Sequence, residues 1–260
     1  MKGRVTVGAT VILLLGAVIA WAGPLELYMG AGPSLATLGA INNGVIGAFN
    51  VVLNDLNNTP SATGEVSPLG TLGTSIAYQA GERFWLSNWF ALGGGVDFTH
   101  MGASTSGSYT SSGGTETSNI NVSFGCSSIG FVVGGRFMFL DAGIQLSADV
   151  GFGYYLVAFD SDITFEVPSD YPPLSITPTQ GKGSYHGSSY GIQGGLILGF
   201  PITQGLGLEI CVGYRSLVPA AMTDAQGQSL DLDGDGLPEP IDLSGINVRI
   251  DLSLKMGLPF

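Results

Sequence analysis

The sequence predicts an all-β fold, an eight-stranded antiparallel up-and-down transmembrane β-barrel with one amphipathic helix in the first long loop. Three observations carry that expectation. First, residues 246–260 alternate for their whole length: Ile246, Val248, Ile250, Leu252, Leu254, Met256, Leu258 and Phe260 share one face, and Asn247, Arg249, Asp251, Ser253 and Lys255 share the other. A period of two is a β-strand with one apolar face. This one outruns both an ordinary strand of about 5–6 residues and the roughly 9–11 that cross a bilayer. Second, mean hydropathy is +0.37 and only 11% of residues are charged, yet no run of about 18 apolar residues follows position 22. A hydrophobic average without a hydrophobic helix fits a barrel, whose apolar residues come one in two. Third, the alternating stretches are joined by long and short connections in strict turn, as in barrels with short turns at one end and long loops at the other.

Residues 1–22 read as a secretory signal. Lys2 and Arg4 form the basic start, Val5 to Ile19 the apolar stretch, and Ala20-Trp21-Ala22 a small-x-small cleavage site. The barrel domain is then 23–260. Strand one is 25–32, with Leu25, Leu27 and Met29 facing out and Glu26 and Tyr28 facing in. The period then changes. Ile41, Val45, Phe49, Val52, Leu53 and Leu56 recur every three or four residues, the stripe of an amphipathic helix over 38–57. Its stripe would pack on the barrel rim, plug the mouth or lie in the outer leaflet.

Strand two covers 70–83 and strand three 89–100, with Phe90, Leu92, Val96 and Phe98 outward and Asp97 inward. Residues 102–118 are rich in Ser, Thr and Gly and read as a polar loop. Strand four covers 120–139. Ile120, Val122 and Phe124 share one parity and Ile129, Phe131, Val133 and Phe137 the other, so a β-bulge is expected near Ser127-Ser128. Strand five follows, with Val150, Phe152, Tyr154 and Leu156 outward and Asp149 inward. Residues 160–183 read as a long acidic loop. Strands six (185–200) and seven (205–215) precede the last long loop, 216–244.

The terminal strand ending on Phe260, together with the signal segment and the strand and loop plan, resembles small bacterial outer-membrane β-barrels, the OmpA/OmpX/OmpW-like transmembrane barrels. The resemblance implies a place in the cell outer membrane, contact with its lipid, and recognition of the C-terminal strand by the barrel-assembly machinery. It also implies a structural, surface-interaction or small-solute role, and a monomer is expected. Pro259 departs from the family's usual terminal pattern.

Cleavage after Ala22 would leave 6 basic against 20 acidic residues, a net charge of −14. That argues against nucleic acid and for divalent cations. Five acids (Glu26, Asp97, Asp149, Glu209, Asp251) and four bases (Arg136, Arg215, Arg249, Lys255) fall on inward positions. Unpaired buried charge is costly, so they are expected to form a salt-bridge plug, with a narrow polar conduit as the alternative. Cys126 is placed outward and Cys211 inward on non-adjacent strands, which disfavours a disulfide.

The sharpest motif is Asp231–Asp242, D-L-D-G-D-G-L-P-E-P-I-D, with acids at positions 1, 3, 5, 9 and 12 and glycine at 6. That is the ligand spacing of a calcium loop, in which alternating hard oxygens wrap the ion around a glycine turn. Asp231, Asp233 and Asp235 would give carboxylates, Leu237 its carbonyl, Glu239 a direct or water-mediated contact, and Asp242 the closing carboxylate. Asp at position 12 and Pro238 at position 8 depart from the helix-loop-helix pattern. A second candidate, His186 and Ser188, faintly resembles the His-x-Ser pair of outer-membrane lipid A deacylases, without an evident acid partner. No catalytic residue is assigned. The function expected is structural or surface-interaction, with a calcium-stabilised loop. The alternatives are a narrow channel for small or hydrophobic solutes and a lipid A-directed hydrolase.

Overall fold

The computed structural model describes residues 24–58, 62–111, 114, 116–166, 181–231 and 236–257. Residues 1–23, with the expected cleavage site, and 258–260, with Pro259 and Phe260, lie outside these. Eight antiparallel strands close into a ring: β1 (Leu25–Ala36), β3 (Thr74–Trp85), β4 (Phe90–Ser111), β5 (Thr117–Asp141), β6 (Gln145–Phe165), β7 (Gly181–Pro201), β8 (Leu206–Leu217) and β9 (Gly245–Met256). Each pairs with its sequence neighbour, and β9 pairs with β1 to close the ring. A three-residue strand, β2 (Ala62–Gly64), extends the sheet beside the far end of β4.

The wall is uneven in height. β1, β3, β8 and β9 have 12 residues each, whereas β4 to β7 have 21 to 25. The expected loop at 102–118 is therefore mostly strand, because its Ser, Thr and Gly residues continue the β4–β5 ladder up to Thr110↔Thr117. Likewise 160–165 and 181–183 continue β6 and β7.

The expected bulge at Ser127-Ser128 is absent. Both residues sit in an unbroken register, paired with His100 and Thr99 on one side and with Ala158 and Val157 on the other. The one shift between β5 and β6 falls at Met138/Leu140, beside the short turn. What changes at Ser127-Ser128 is the surroundings. Below it Ile129, Phe131 and Val133 are exposed on the outer face; above it Ile120, Val122, Phe124 and Cys126 are buried on the inner face. Cys126 is thus inward, contrary to its expected placement.

The inner apolar face above this level is covered by a helix. Ala40–Ile46 forms a π-helical segment that runs directly into α1 (Gly47–Asn57). Ile41, Val45, Phe49, Val52, Leu53 and Leu56 form its buried stripe, as the spacing predicts. The Phe49 ring meets Phe124 of β5 and Phe165 of β6 edge-on at 6.0 and 5.5 Å. Leu217 at the end of β8 and Ala220, Met222, Leu230, Ile241 and Leu243 of the last loop join the same core. Of the three placements open in sequence, the helix takes the mouth.

The segment after the helix is held to it by three asparagines. Asn42, Asn50 and Asn57 each donate to the carbonyl and accept the N–H of one residue, Leu72, Leu69 and Val66 respectively. An amide side chain satisfies one unpaired backbone residue completely in this way.

Candidate functional site

The lower lumen is filled by ion pairs. Glu26 accepts from Arg83 at 2.6 Å and from the Trp85 indole at 2.7 Å. Arg136 makes a two-pronged contact with Glu209 at 2.7 and 3.0 Å. Cross contacts of 3.5 Å (Arg83–Glu209) and 3.8 Å (Arg136–Glu26) join the two pairs into a ring of alternating charge. Above it Arg249 grips Asp251 at 3.0 and 3.1 Å, and Arg215 lies 3.7 Å from Asp97. Arg215 also donates through Nε to the Leu243 carbonyl, joining the charged layers to the last loop.

Arg83 is the member of this network that the sequence reading missed. It ends the alternating part of β3, and its guanidinium stacks 3.7 Å over the Tyr28 ring. With it the interior holds five bases against five acids among the described residues. Polar satisfaction of this kind is what allows charges to sit inside a narrow barrel. Gaps between these side chains are small: a cavity of about 40 Å³ beside Arg83, Arg136 and Asp149 and another of about 10 Å³ beside Cys211 and Arg249. Such volumes hold a few water molecules at most.

Three buried donors, Glu209, Cys211 and Asp251, lie within 4.8 Å of one another, a separation a metal ion would accept. Both carboxylates are already held by arginines, and the Cys211 thiol donates to Asp251 at 3.1 Å. The positive charge is supplied by side chains, so this cluster reads as part of the plug.

The outer face carries a belt. On β4 to β6 the outward rows run from Phe90, Phe137 and Ala148 up to Phe98, Ile129 and Leu156. Eight residues along a strand tilted by about 40° rise roughly 20 Å, which with the terminal side chains approaches the band of about 25 Å found on membrane barrels. Trp89, Phe90 and Phe137 cluster at the short-turn end, with centroids 5.0 to 6.4 Å apart. Tyr78, Tyr154 and Tyr190 sit toward the other end, the aromatic placement of a bilayer interface.

No model of a protein family matches the sequence, and no curated protein does. Solved structures do. A major outer membrane protein from Thermus thermophilus is similar at a TM-score of 0.51 and 10% identity, over 90% of this chain and 98% of that one. The fold is that of an outer-membrane β-barrel. Similarity extends to OprG of Pseudomonas aeruginosa (TM-score 0.45, 10% identity, 91% of this chain and 97% of that one). It also extends to the outer membrane protease OmpT of Escherichia coli (0.40, 10%, 91% and 98%).

In this outer-membrane barrel the long loops lie at the extracellular end. Of the calcium-motif residues, Asp233 and Asp235 fall outside the described residues. Asp231 accepts the Gly236 N–H at 3.0 Å, and Gly236 has φ +83°, a left-handed turn that glycine adopts without strain. Leu237 is exposed and Glu239 is buried. Asp242 is engaged: Oδ1 accepts the Ser244 N–H at 2.8 Å, and Oδ2 lies 3.5 Å from the Thr37 hydroxyl. The two ends of the motif are therefore held differently, Asp231 by the Gly236 N–H within the motif and Asp242 by Ser244 and Thr37 at the mouth.

His186 and Ser188 both face outward on β7. The backbone of His186 pairs with Thr223 of the last loop. The outward carboxylate closest in register is Asp160, which stands opposite Ser184. Among the described residues, no hydrogen bond joins the His186 and Ser188 side chains to each other or to that acid.

Proposed function

We propose that this protein is a sealed outer-membrane barrel with a structural and surface-interaction role, whose last extracellular loop binds and is stabilised by Ca²⁺. The observation that carries the reading is the double closure of the lumen. Ion pairs fill its lower part, and the apolar core around α1 covers its extracellular end. Solute passage would require breaking buried ion pairs or withdrawing a helix whose apolar stripe is buried, each costing several kcal/mol. The reading assigns no catalytic role to His186 and Ser188.

The calcium part rests on the hydrogen bond from the Gly236 N–H to the Asp231 carboxylate, which brings positions 1 and 6 of the loop together as a wrapped cation requires. Asp231, Asp233 and Asp235 would supply carboxylates, Leu237 its carbonyl and Glu239 a further oxygen. Asp242 would close through the lone pairs its anchoring contacts leave.

Planar-bilayer recording of the refolded protein tests the closure: no unitary steps are expected. Regular steps that vanish when α1 is cross-linked to β5 would make the protein a channel instead. Titration with Ca²⁺ tests the loop, with saturable heat expected in the wild type and none in Asp231→Ala. Equal heat in both would remove calcium from the loop.

A further inference from the structure

The inward charges leave one base over. Arg83 meets Glu26, Arg136 meets Glu209, Arg249 meets Asp251 and Arg215 meets Asp97. Lys255 is the fifth inward base, and among the described residues no carboxylate pairs with it. Its cross-strand neighbour is Glu26. Both Glu26 oxygens are committed elsewhere, to Arg83 at 2.6 Å and to the Trp85 indole at 2.7 Å. The Lys255 ammonium rests instead over the Trp85 ring, 4.8 Å from its centroid. Asp149, the acid left over, lines the cavities beside Arg136 and Arg249, higher in the lumen.

Lys255 stands near the end of β9, at the short-turn and therefore periplasmic end of the barrel. A cavity of about 50 Å³ opens beside it, lined by Gln145, Thr203, Gln204, Ser253 and Lys255. The lining carries one full charge, the ammonium. Thr203 Oγ1 accepts the N–H groups of Gly205 and Leu206 at 3.3 and 3.1 Å, which leaves its own O–H to donate. The exposed Asp141 is already engaged by the Gln145 amide at 3.0 Å. The space holds a few water molecules, the room one carboxylate group needs. We propose that this pocket binds a carboxylate entering from the periplasm, held by the Lys255 ammonium and by the donors of Thr203 and Gln204. Charge-assisted hydrogen bonds are the strong ones, and the Trp85 ring keeps the ammonium in place by its attraction for cations. A single partly exposed charge still gives a modest affinity, so saturation falls in the millimolar range.

The test uses the full barrel refolded into nanodiscs, with its tryptophans labelled with ¹⁵N and the Trp85 indole resonance as the reporter beneath Lys255. The probes are acetate, N-acetyl-alanyl-alanine and the C-terminal amide of that same peptide. A saturable shift is expected with both carboxylates and none with the amide. Tighter binding of the peptide than of acetate assigns the pocket to peptide C-termini, and equal binding assigns it to small free acids. Lys255→Gln should weaken binding by at least ten-fold, and Lys255→Arg, which keeps the charge over the ring, should retain it. Lys182→Ala, at the extracellular end, should change nothing. A heat-shifted gel band establishes that each variant is folded. No shift with either carboxylate, an equal shift with the amide, or binding that survives Lys255→Gln would overturn the proposal. A Trp85 resonance that moves without any probe when two residues are added after Phe260 would give the pocket to the chain's own terminus and overturn its assignment to an outside ligand.

Discussion

The N–H of Leu38 donates to the carbonyl of Asp242 at 3.1 Å. The lead-in to the mouth helix is thereby latched to the loop that carries the calcium motif. Beside it, Thr37 donates its N–H and its hydroxyl to the Ser244 carbonyl at 2.9 and 2.7 Å. Leu38 has φ 39°, left-handed for a residue with a branched side chain. Such a conformation costs about 1–3 kcal/mol and persists only where the surroundings enforce it. Here they do, because the side chain is fully buried in the mouth core. Leu38→Ala is expected to lose about 2–5 kcal/mol, read as a lower urea midpoint in lipid vesicles. An unchanged midpoint would mean the mouth core does not depend on this side chain.

The asparagine supports make a separate prediction. Asn50→Leu strands the N–H and carbonyl of Leu69, at a cost of about 1–3 kcal/mol. Val51→Ala, one residue along on the exposed side of α1, should stay within about 0.5 kcal/mol. Comparable losses in both would show that helix propensity, and not the paired amide, holds the segment.

Within the lumen, Arg136→Ala leaves Glu209 and Glu26 short of a partner and is expected to cost about 3–5 kcal/mol. Combining it with Glu209→Gln should recover part of that loss, since the two sites share one bond network. A double mutant whose loss equals the sum of the single losses would show that the pair is not coupled.

Both thiols are buried, and Cys126 faces the mouth core. Neither is expected to react with a membrane-soluble maleimide until the barrel is unfolded, because neither side chain is within reach of the reagent in the folded barrel. Rapid labelling of Cys126 in the folded state would place it on the lipid face.

Withdrawal of Ca²⁺ by a chelator should lower the unfolding midpoint of the wild type, since a ligand bound to the folded state stabilises it. In Asp231→Ala the chelator should have no effect. A midpoint insensitive to chelator in both proteins would separate the loop from calcium.

Much of the barrel was legible in the sequence because a membrane strand records its surroundings at every second residue. The inside and outside assignments of β1, β8 and β9 follow directly from alternation: every inward residue named on the last strand, from Asn247 to Lys255, faces the lumen. The helix was legible for the same reason, as one face of it had to be apolar. Arg83 was not, because it sits where the β3 alternation ends and two neighbours, Phe84 and Trp85, are buried as well.

Tertiary structure alone decided what lies on either side of the wall at each height. Alternation says that one face is apolar, and it does not say which medium covers it. Through the belt the apolar face of β5 meets lipid. Above Ser127-Ser128 the outside is aqueous and the inside is filled by α1, so the same strand continues unbroken while its apolar face reverses. Sequence therefore marked the level of the membrane boundary, at which a bulge was expected. The buried helix on the other side of that wall was needed to give the mark its meaning.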